Sequence, residues 1–311
     1  MNIILLFPGQ GSQKPGMGKE LAAAYPSARD VFDEADRTLA FALSTLCFEG
    51  PDAELLATRN AQPALLTHGA AVWATVAGRV RPHVRAAAGH SLGEFTAYHA
   101  AGAFAFADAL RLVRRRGELM FDSGTRRPGA MAAILGLSEA NVEAACERAS
   151  DVGAVVPANY NTAEQLVISG EVDAVERAMT IAKELGAKRV IRLNVSGAFH
   201  SPLMAEAAAG LKVALDAAPI AASEFPIYSN VSAQPSAGSA DAKNLLLRQL
   251  TSPVRWTELV QHMASDVPNA LYVEMGPGAV LSTMVKRIVP GANTMTCGTP
   301  AEVEQLLAAV A

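Results

Sequence analysis

The chain has 311 residues, half of them hydrophobic and only 18% charged, which is enough to bury a sizeable core in one large domain or one domain with an insertion. A formal net charge of -4, with no basic run beyond Arg114, Arg115 and Arg116, excludes the clustered basic face that nucleic acid requires. The three cysteines, Cys47, Cys146 and Cys297, are far apart and form no C-x-x-C pair, so neither a disulfide framework nor a metal site is expected, and a reducing, cytoplasmic compartment is.

Residues 2–7 (NIILLF) form a continuous apolar run broken by Pro8 and Gly9, the pattern of a strand buried on both faces and not of a signal peptide. No later stretch approaches the roughly 18 apolar residues of a membrane helix, so no membrane association is expected. Residues 28–39 predict an amphipathic helix, with Val31, Phe32, Ala35 and Leu39 on one side. Residues 62–80 predict a long buried helix and residues 84–88 a strand of small residues. Helices follow over 92–101 and 106–120.

Residues 129–193 have a rhythm of their own. Strands are expected over 130–135, 153–159, 165–168 and 188–193, with helices over 138–149, capped by Ser138, and 172–185. The order βαββαβ is that of a ferredoxin-like unit inserted into a larger one. Helices at 202–218, 241–250 and 254–265 and strands at 226–231 and 270–275 complete the chain, followed by a turn at Gly276-Pro277-Gly278 and another helix. Strands alternating with helices imply an α/β fold around a largely parallel sheet.

Three places could carry chemistry. Gly89-His90-Ser91-Leu92-Gly93 is a G-x-S-x-G between a strand and a helix, where a strained turn exposes a nucleophile at a helix N-terminus. The same pattern also suits a glycine turn with Ser91 as a helix cap. A serine nucleophile needs a base. Of six histidines, His68, His83, His99 and His262 fall in helical or terminal segments where a solvated or half-buried role is ordinary, and the His90 side chain should leave the turn in another direction. His200 stands in a loop before a helix, beyond the last strand of the insert, where open sheets place their sites; a structural histidine is the competing reading. The loop Phe7-Pro8-Gly9-Gln10-Gly11-Ser12-Gln13 lacks the third glycine of a dinucleotide fingerprint and the G-K-[ST] of a P-loop. It remains a turn, a phosphate loop or the source of an oxyanion-hole N–H.

Together these blocks resemble the malonyl-CoA:acyl-carrier-protein transacylase family. The resemblance rests on Phe7 to Gln13, Gly89 to Glu94, Arg116-Gly117, Ala198-Phe199-His200-Ser201, Arg248-Gln249-Leu250 and Glu274-Met275-Gly276-Pro277-Gly278, in the family's order from residue 3 to about 298. It implies an α/β-hydrolase-like large subdomain, residues 1–126 and 197–311, with a ferredoxin-like small subdomain, residues 127–196. It also implies roles: Ser91 as nucleophile, His200 as general base, and the backbone N–H groups of Gln10 and Leu92 as oxyanion hole. Arg116 would pair with the malonyl carboxylate, and Gln249 would line the site with its main-chain carbonyl orienting His200. Phe199, replaced by a smaller residue in methylmalonyl-selecting relatives, marks the malonyl type.

A carboxylate buried without a partner is prohibitive, and a planar guanidinium can bond it twice, which a lysine cannot. On a bare sequence Arg116 is one of three arginines on a solvated helix face; Arg114 and Arg115 are expected to be that. The implied activity is ping-pong malonyl transfer from malonyl-CoA to acyl carrier protein for fatty-acid or polyketide synthesis, without a cofactor, by a monomer. The competing readings are the transacylase subunit of a malonate decarboxylase, a trans-acting polyketide synthase acyltransferase, a serine esterase, which has no use for Arg116, and a non-catalytic carrier-docking module.

Overall fold

A computed structural model describes residues 1–195 and 197–311. Among the described residues, nine strands make two sheets. β1 (Ile3–Phe7), β2 (Val84–Gly89), β7 (Ile227–Tyr228), β8 (Leu271–Glu274) and β9 (Asn293–Thr296) form a parallel sheet in the order β7-β2-β1-β8-β9. β3 (Gly129–Leu135), β4 (Val155–Thr162), β5 (Gln165–Glu171) and β6 (Arg189–Arg192) form an antiparallel sheet in the order β4-β5-β3-β6.

β1 explains why the first sheet is central. Alternate side chains of a strand point to opposite faces. Ile3, Leu5 and Phe7 enter one hydrophobic core with the helices Thr58–Val80 and Phe106–Arg126. Ile4 and Leu6 enter a second core with Trp256, Leu259, Val260 and Met263 of the helix Trp256–Asp266. All five residues are buried, and a strand buried on both faces reads as an unbroken apolar run.

The second sheet carries the helices Glu139–Ala149 and Val172–Glu184 over one face, packed on Ala130, Ala132 and Ile134. Its other face presents Met131, Ala133 and Val167 to a cavity shared with the large sheet's loops. The βαββαβ order is as expected. The expected boundary at residue 196 falls on the one residue outside those described. β4 is tied to the segment before the helix Trp256–Asp266 through Val254, whose N–H donates to Ala158 O at 2.8 Å and whose carbonyl accepts from Tyr160 N at 2.9 Å.

Several local expectations change. The long helix begins at Thr58, not 62, and Pro63 lies inside it. Proline cannot donate to the carbonyl four residues back, Arg59 O. Arg114 Nη1 fills that vacancy at 3.0 Å, so Arg114 is a helix-mending residue and not a merely solvated one. The expected strand 226–231 contracts to Ile227–Tyr228, because Asn230 N turns inward to Glu94 Oε2. The expected helix 241–250 ends at Arg248, and a 3-10 turn over Gln249–Thr251 follows it. Ser138 stands at a helix N-cap but its side chain makes no capping bond. β9 and the helix Pro300–Ala309, closed by a Thr299–Glu302 capping box, were not anticipated; neither were the short helices Lys19–Ala24, Leu43–Glu49 and Asp52–Leu56.

Candidate active site

The site is built at the C-terminal ends of β1 and β2. Between β2 and the helix Gly93–Ala100 the turn is so tight that a Cβ on Gly89 would lie 1.8 Å from the Gly93 carbonyl carbon. A Cβ on Gly93 would lie 2.0 Å from Phe7 O. Only hydrogen fits at either place. Ser91 at the apex has φ 52°, in the left-handed region that non-glycine residues seldom occupy. Side chains from two distant segments hold it there. Ser91 N donates to Asn230 Oδ1 at 2.7 Å, and Ser91 O accepts from Gln249 Nε2 at 3.0 Å. Ser91 is not a helix cap: Leu92 occupies the N-cap position, and Ser91 Oγ lies 2.7 Å from His200 Nε2.

His200 also takes a left-handed conformation, φ 57°. Ser201 fixes the loop behind it, donating from Oγ to Ala198 O at 2.7 Å and accepting from Leu203 N at 3.3 Å. The ring's Nδ1 lies 2.8 Å from Gln249 O. A carbonyl oxygen can only accept, so Nδ1 carries the proton and Nε2 turns a lone pair toward Ser91 Oγ. Burial, and next the Arg116 cation, press the imidazole down to about 3, against the opposing bond to Gln249. It is therefore neutral at physiological pH, the form a general base requires.

Arg116 is 1% exposed. Nη1 donates to Gln62 Oε1 at 2.7 Å, and Nη2 to Gln249 Oε1 at 3.0 Å and to Ser91 Oγ at 3.1 Å. Its Nε has no partner, and among the described residues no carboxylate forms an ion pair with it. Burial lowers its pKa to about 10, an effect that Glu94 opposes from a distance. A fully buried cation solvated only by neutral groups is costly, and what it lacks is an anion.

These groups face a cavity of about 250 Å³. Gln10, Leu92 and Phe199 also line it, with Met120, Met131 and Met284 on its apolar side. Among the described residues the backbone N–H groups of Gln10 and Leu92 have no acceptor, while the Gln10 side chain is held by Thr58 Oγ1 at 3.1 Å. Gln249 differs from expectation in one respect. It is wholly buried behind the wall and does not line the cavity, and its contribution passes through its hydrogen bonds. All seven expected site residues thus converge: Ser91, His200, Gln10, Leu92, Arg116, Gln249 and Phe199.

His90 leaves the turn toward the small sheet, 2.8 Å from Asn161 Oδ1, with its ring centroid 5.5 Å from that of Trp256. His68, expected to be half-buried at most, is 1% exposed, and burial lowers it to about 4. Glu274 lies outside the site. Its carboxylate accepts from Leu281 N at 3.0 Å and Ser282 N at 2.7 Å, capping the helix Val280–Ile288.

Four participants were not picked out as site residues: Gln62, Glu94, Asn161 and Asn230. Gln62 is a polar residue at the start of a helical run that is apolar on most faces, and Asn230 a polar residue within a run read as a strand. A buried polar group of that kind must find partners, which is the only signal that singles them out.

This arrangement is suited to acyl transfer through a serine, with a cation beside the candidate nucleophile. Residues 4–300 match the family model of the acyl transferase domain. The malonyl CoA-acyl carrier protein transacylase of Bacillus subtilis (strain 168) is 46% identical over 304 residues, 97% of this chain and 95% of that protein. The crystal structure of an acyl-carrier-protein-S-malonyltransferase from Bartonella henselae aligns with a TM-score of 0.96 at 41% identity, covering 100% of this chain and 99% of that one. A structure of a type II PKS acyl-carrier protein in complex with its malonyl-transacylase aligns with a TM-score of 0.95 at 37% identity, covering 99% of this chain and 100% of that one. Site, sequence and fold agree across nearly the full length, and the chain belongs to the acyl transferase family as a member of its malonyl-CoA:acyl-carrier-protein transacylase group.

Proposed function

We propose that this acyltransferase moves the malonyl group of malonyl-CoA onto Ser91 and then onto the phosphopantetheine thiol of an acyl carrier protein. The observation that carries the reading is Arg116, a buried cation without an anion, 3.1 Å from the nucleophilic oxygen. Acetyl and malonyl thioesters differ by one carboxylate, and that carboxylate is the group Arg116 lacks.

In the first half-reaction Ser91 Oγ attacks the thioester carbonyl while its proton passes to His200 Nε2. The oxyanion accepts from Gln10 N–H and Leu92 N–H, two donors with no acceptor among the described residues. Collapse breaks the carbon–sulfur bond, and the coenzyme A thiolate leaves with the proton from His200. In the second half-reaction the carrier thiol gives its proton to His200 and attacks the malonyl ester, and Ser91 recovers the proton as the thioester forms. Gln249 O holds the imidazolium formed in each half, in the place where other triads use a carboxylate. Every step uses side chains and backbone of this chain, and no cofactor enters it.

Belonging to the same reading are a large subdomain of residues 1–126 and 197–311, a small one of residues 127–196, action as a monomer, and a cytoplasmic setting. For the last, the support is that the three cysteines are free and buried and that, among the described residues, no helix is long and apolar enough to cross a membrane. A polyketide carrier is a second possible acceptor, favoured by the similarity to the type II PKS malonyl-transacylase complex.

The test is incubation with malonyl-CoA alone followed by intact-mass measurement. One malonyl group should add to the protein, and Ser91→Ala should abolish the addition. Persistence of the label on the Ala variant would remove Ser91 from the mechanism.

A further inference from the structure

Below the nucleophile lies a buried carboxyl group that the mechanism does not use. Glu94 is 0% exposed, three residues beyond Ser91. Its Oε2 accepts from Gln249 Nε2 at 2.6 Å and from Asn230 N at 3.1 Å. Burial raises this carboxyl to about 7, and Oε2 is an acceptor in either protonation state.

The side-chain amide of Gln249 has one donor end and one acceptor end, and its two ends do different work. Nε2 points to Glu94 Oε2 and Ser91 O; Oε1 points to Arg116 Nη2. Turned end for end, the amide would set its NH2 against the guanidinium, donor against donor, and its oxygen against Ser91 O and Glu94. Glu94 supplies the shortest of the bonds that choose between the two arrangements. Asn230 extends the same unit, clamping the elbow by accepting from Ser91 N and donating from Nδ2 to Gly89 O, each at 2.7 Å.

We propose that Glu94 is a positioning residue for substrate selection: by fixing the orientation of the Gln249 amide it presents an acceptor to Arg116 and so aims the guanidinium at the malonyl carboxylate. This rests on the reading of Arg116 as the carboxylate-binding group. Glu94 itself touches neither substrate nor the reacting atoms. Its effect should therefore appear in the preference for malonyl over acetyl and not as a uniform loss of activity.

The test measures kcat/KM for malonyl-CoA and acetyl-CoA, with a carrier protein as acceptor, in the full chain and in Glu94→Met, Glu94→Gln and Arg116→Ala. The ratio of the two values is internal to each preparation, so a reduced fraction of folded protein cancels. Glu94→Met keeps the volume and removes the acceptor, and the malonyl-to-acetyl ratio should fall by about tenfold or more, the loss expected for a hydrogen bond within a charged network. Glu94→Gln retains an acceptor oxygen and should hold the ratio within about threefold of the parent, a margin under 1 kcal/mol. Equal losses on both substrates in Glu94→Met, failure of that variant to fold, or a collapsed ratio in Glu94→Gln would each overturn the proposal. Arg116→Ala separates the two levels. If it leaves the ratio unchanged, the carboxylate reading fails and this inference with it; if it collapses the ratio while Glu94→Met does not, only this inference fails.

Discussion

Arg116 Nη2 lies 3.1 Å from Ser91 Oγ, so the cation proposed to hold the far end of a malonyl group touches the atom proposed to attack its near end. A single methylene separates those two ends in the substrate. The same Nη2 is shared with Gln249 Oε1, and the Gln249 main chain holds His200, so one residue ties Ser91, His200 and Arg116 together.

His200→Ala should lower the rate of malonyl transfer by on the order of a hundredfold or more, as for loss of a positioned general base, with malonyl-CoA binding little changed. Because the imidazole is held at about 3, far below its ordinary value near 6.5, it stays deprotonated as pH falls through the histidine range. The kcat/KM profile for Ser91 acylation should therefore show no acid limb near pH 6.5. A limb with that midpoint would mean that the base is exposed to solvent.

Two glycines should respond in opposite directions. Gly89→Ala drives a Cβ into the Gly93 backbone and should cost about 3 kcal/mol or more, with loss of Ser91 labelling. Gly78, in the helix Thr58–Val80, has nothing within 4 Å of its Cβ position. Gly78→Ala should raise stability by up to about 1 kcal/mol. Denaturant unfolding of both variants measures the contrast.

Phe199 closes the cavity beside Ser91 and His200 and is 6% exposed. Shortening it should admit the extra methyl of methylmalonyl-CoA. In Phe199→Ala the ratio of methylmalonyl to malonyl transfer should rise by about tenfold, the scale on which a hydrophobic pocket discriminates one methyl group. An unchanged ratio, read by competition between the two thioesters, would place the selecting wall elsewhere.

Local rules made the elbow at Ser91 and the strand β1 legible, whereas the roles of Gln10, Leu92, Arg116, Gln249 and Phe199 came only with the family resemblance. Gly89 and Gly93 are forced by backbone contact, and the apolar run of β1 is forced by two-sided burial. The supporting layer was not legible, for a physical reason. Asn230 meets Ser91 across 139 positions and Glu94 meets Gln249 across 155, and no periodicity links such residues. Arg114 was misread for a similar reason: its partner is a carbonyl orphaned by Pro63, in a helix that propensity would start later. β9 was missed because a four-residue edge strand, Asn293–Thr296, offers little apolar pattern.

The most direct test of the central claim is kcat/KM for malonyl-CoA and acetyl-CoA in the parent chain and in Arg116→Ala. Removing the guanidinium should cost malonyl transfer roughly 2–5 kcal/mol, the range for a desolvated charge pair. Acetyl transfer should hold level or rise, since acetyl-CoA leaves the buried cation unpaired in the parent enzyme. An inverted preference is the predicted result, and equal losses for the two thioesters would contradict carboxylate recognition by Arg116.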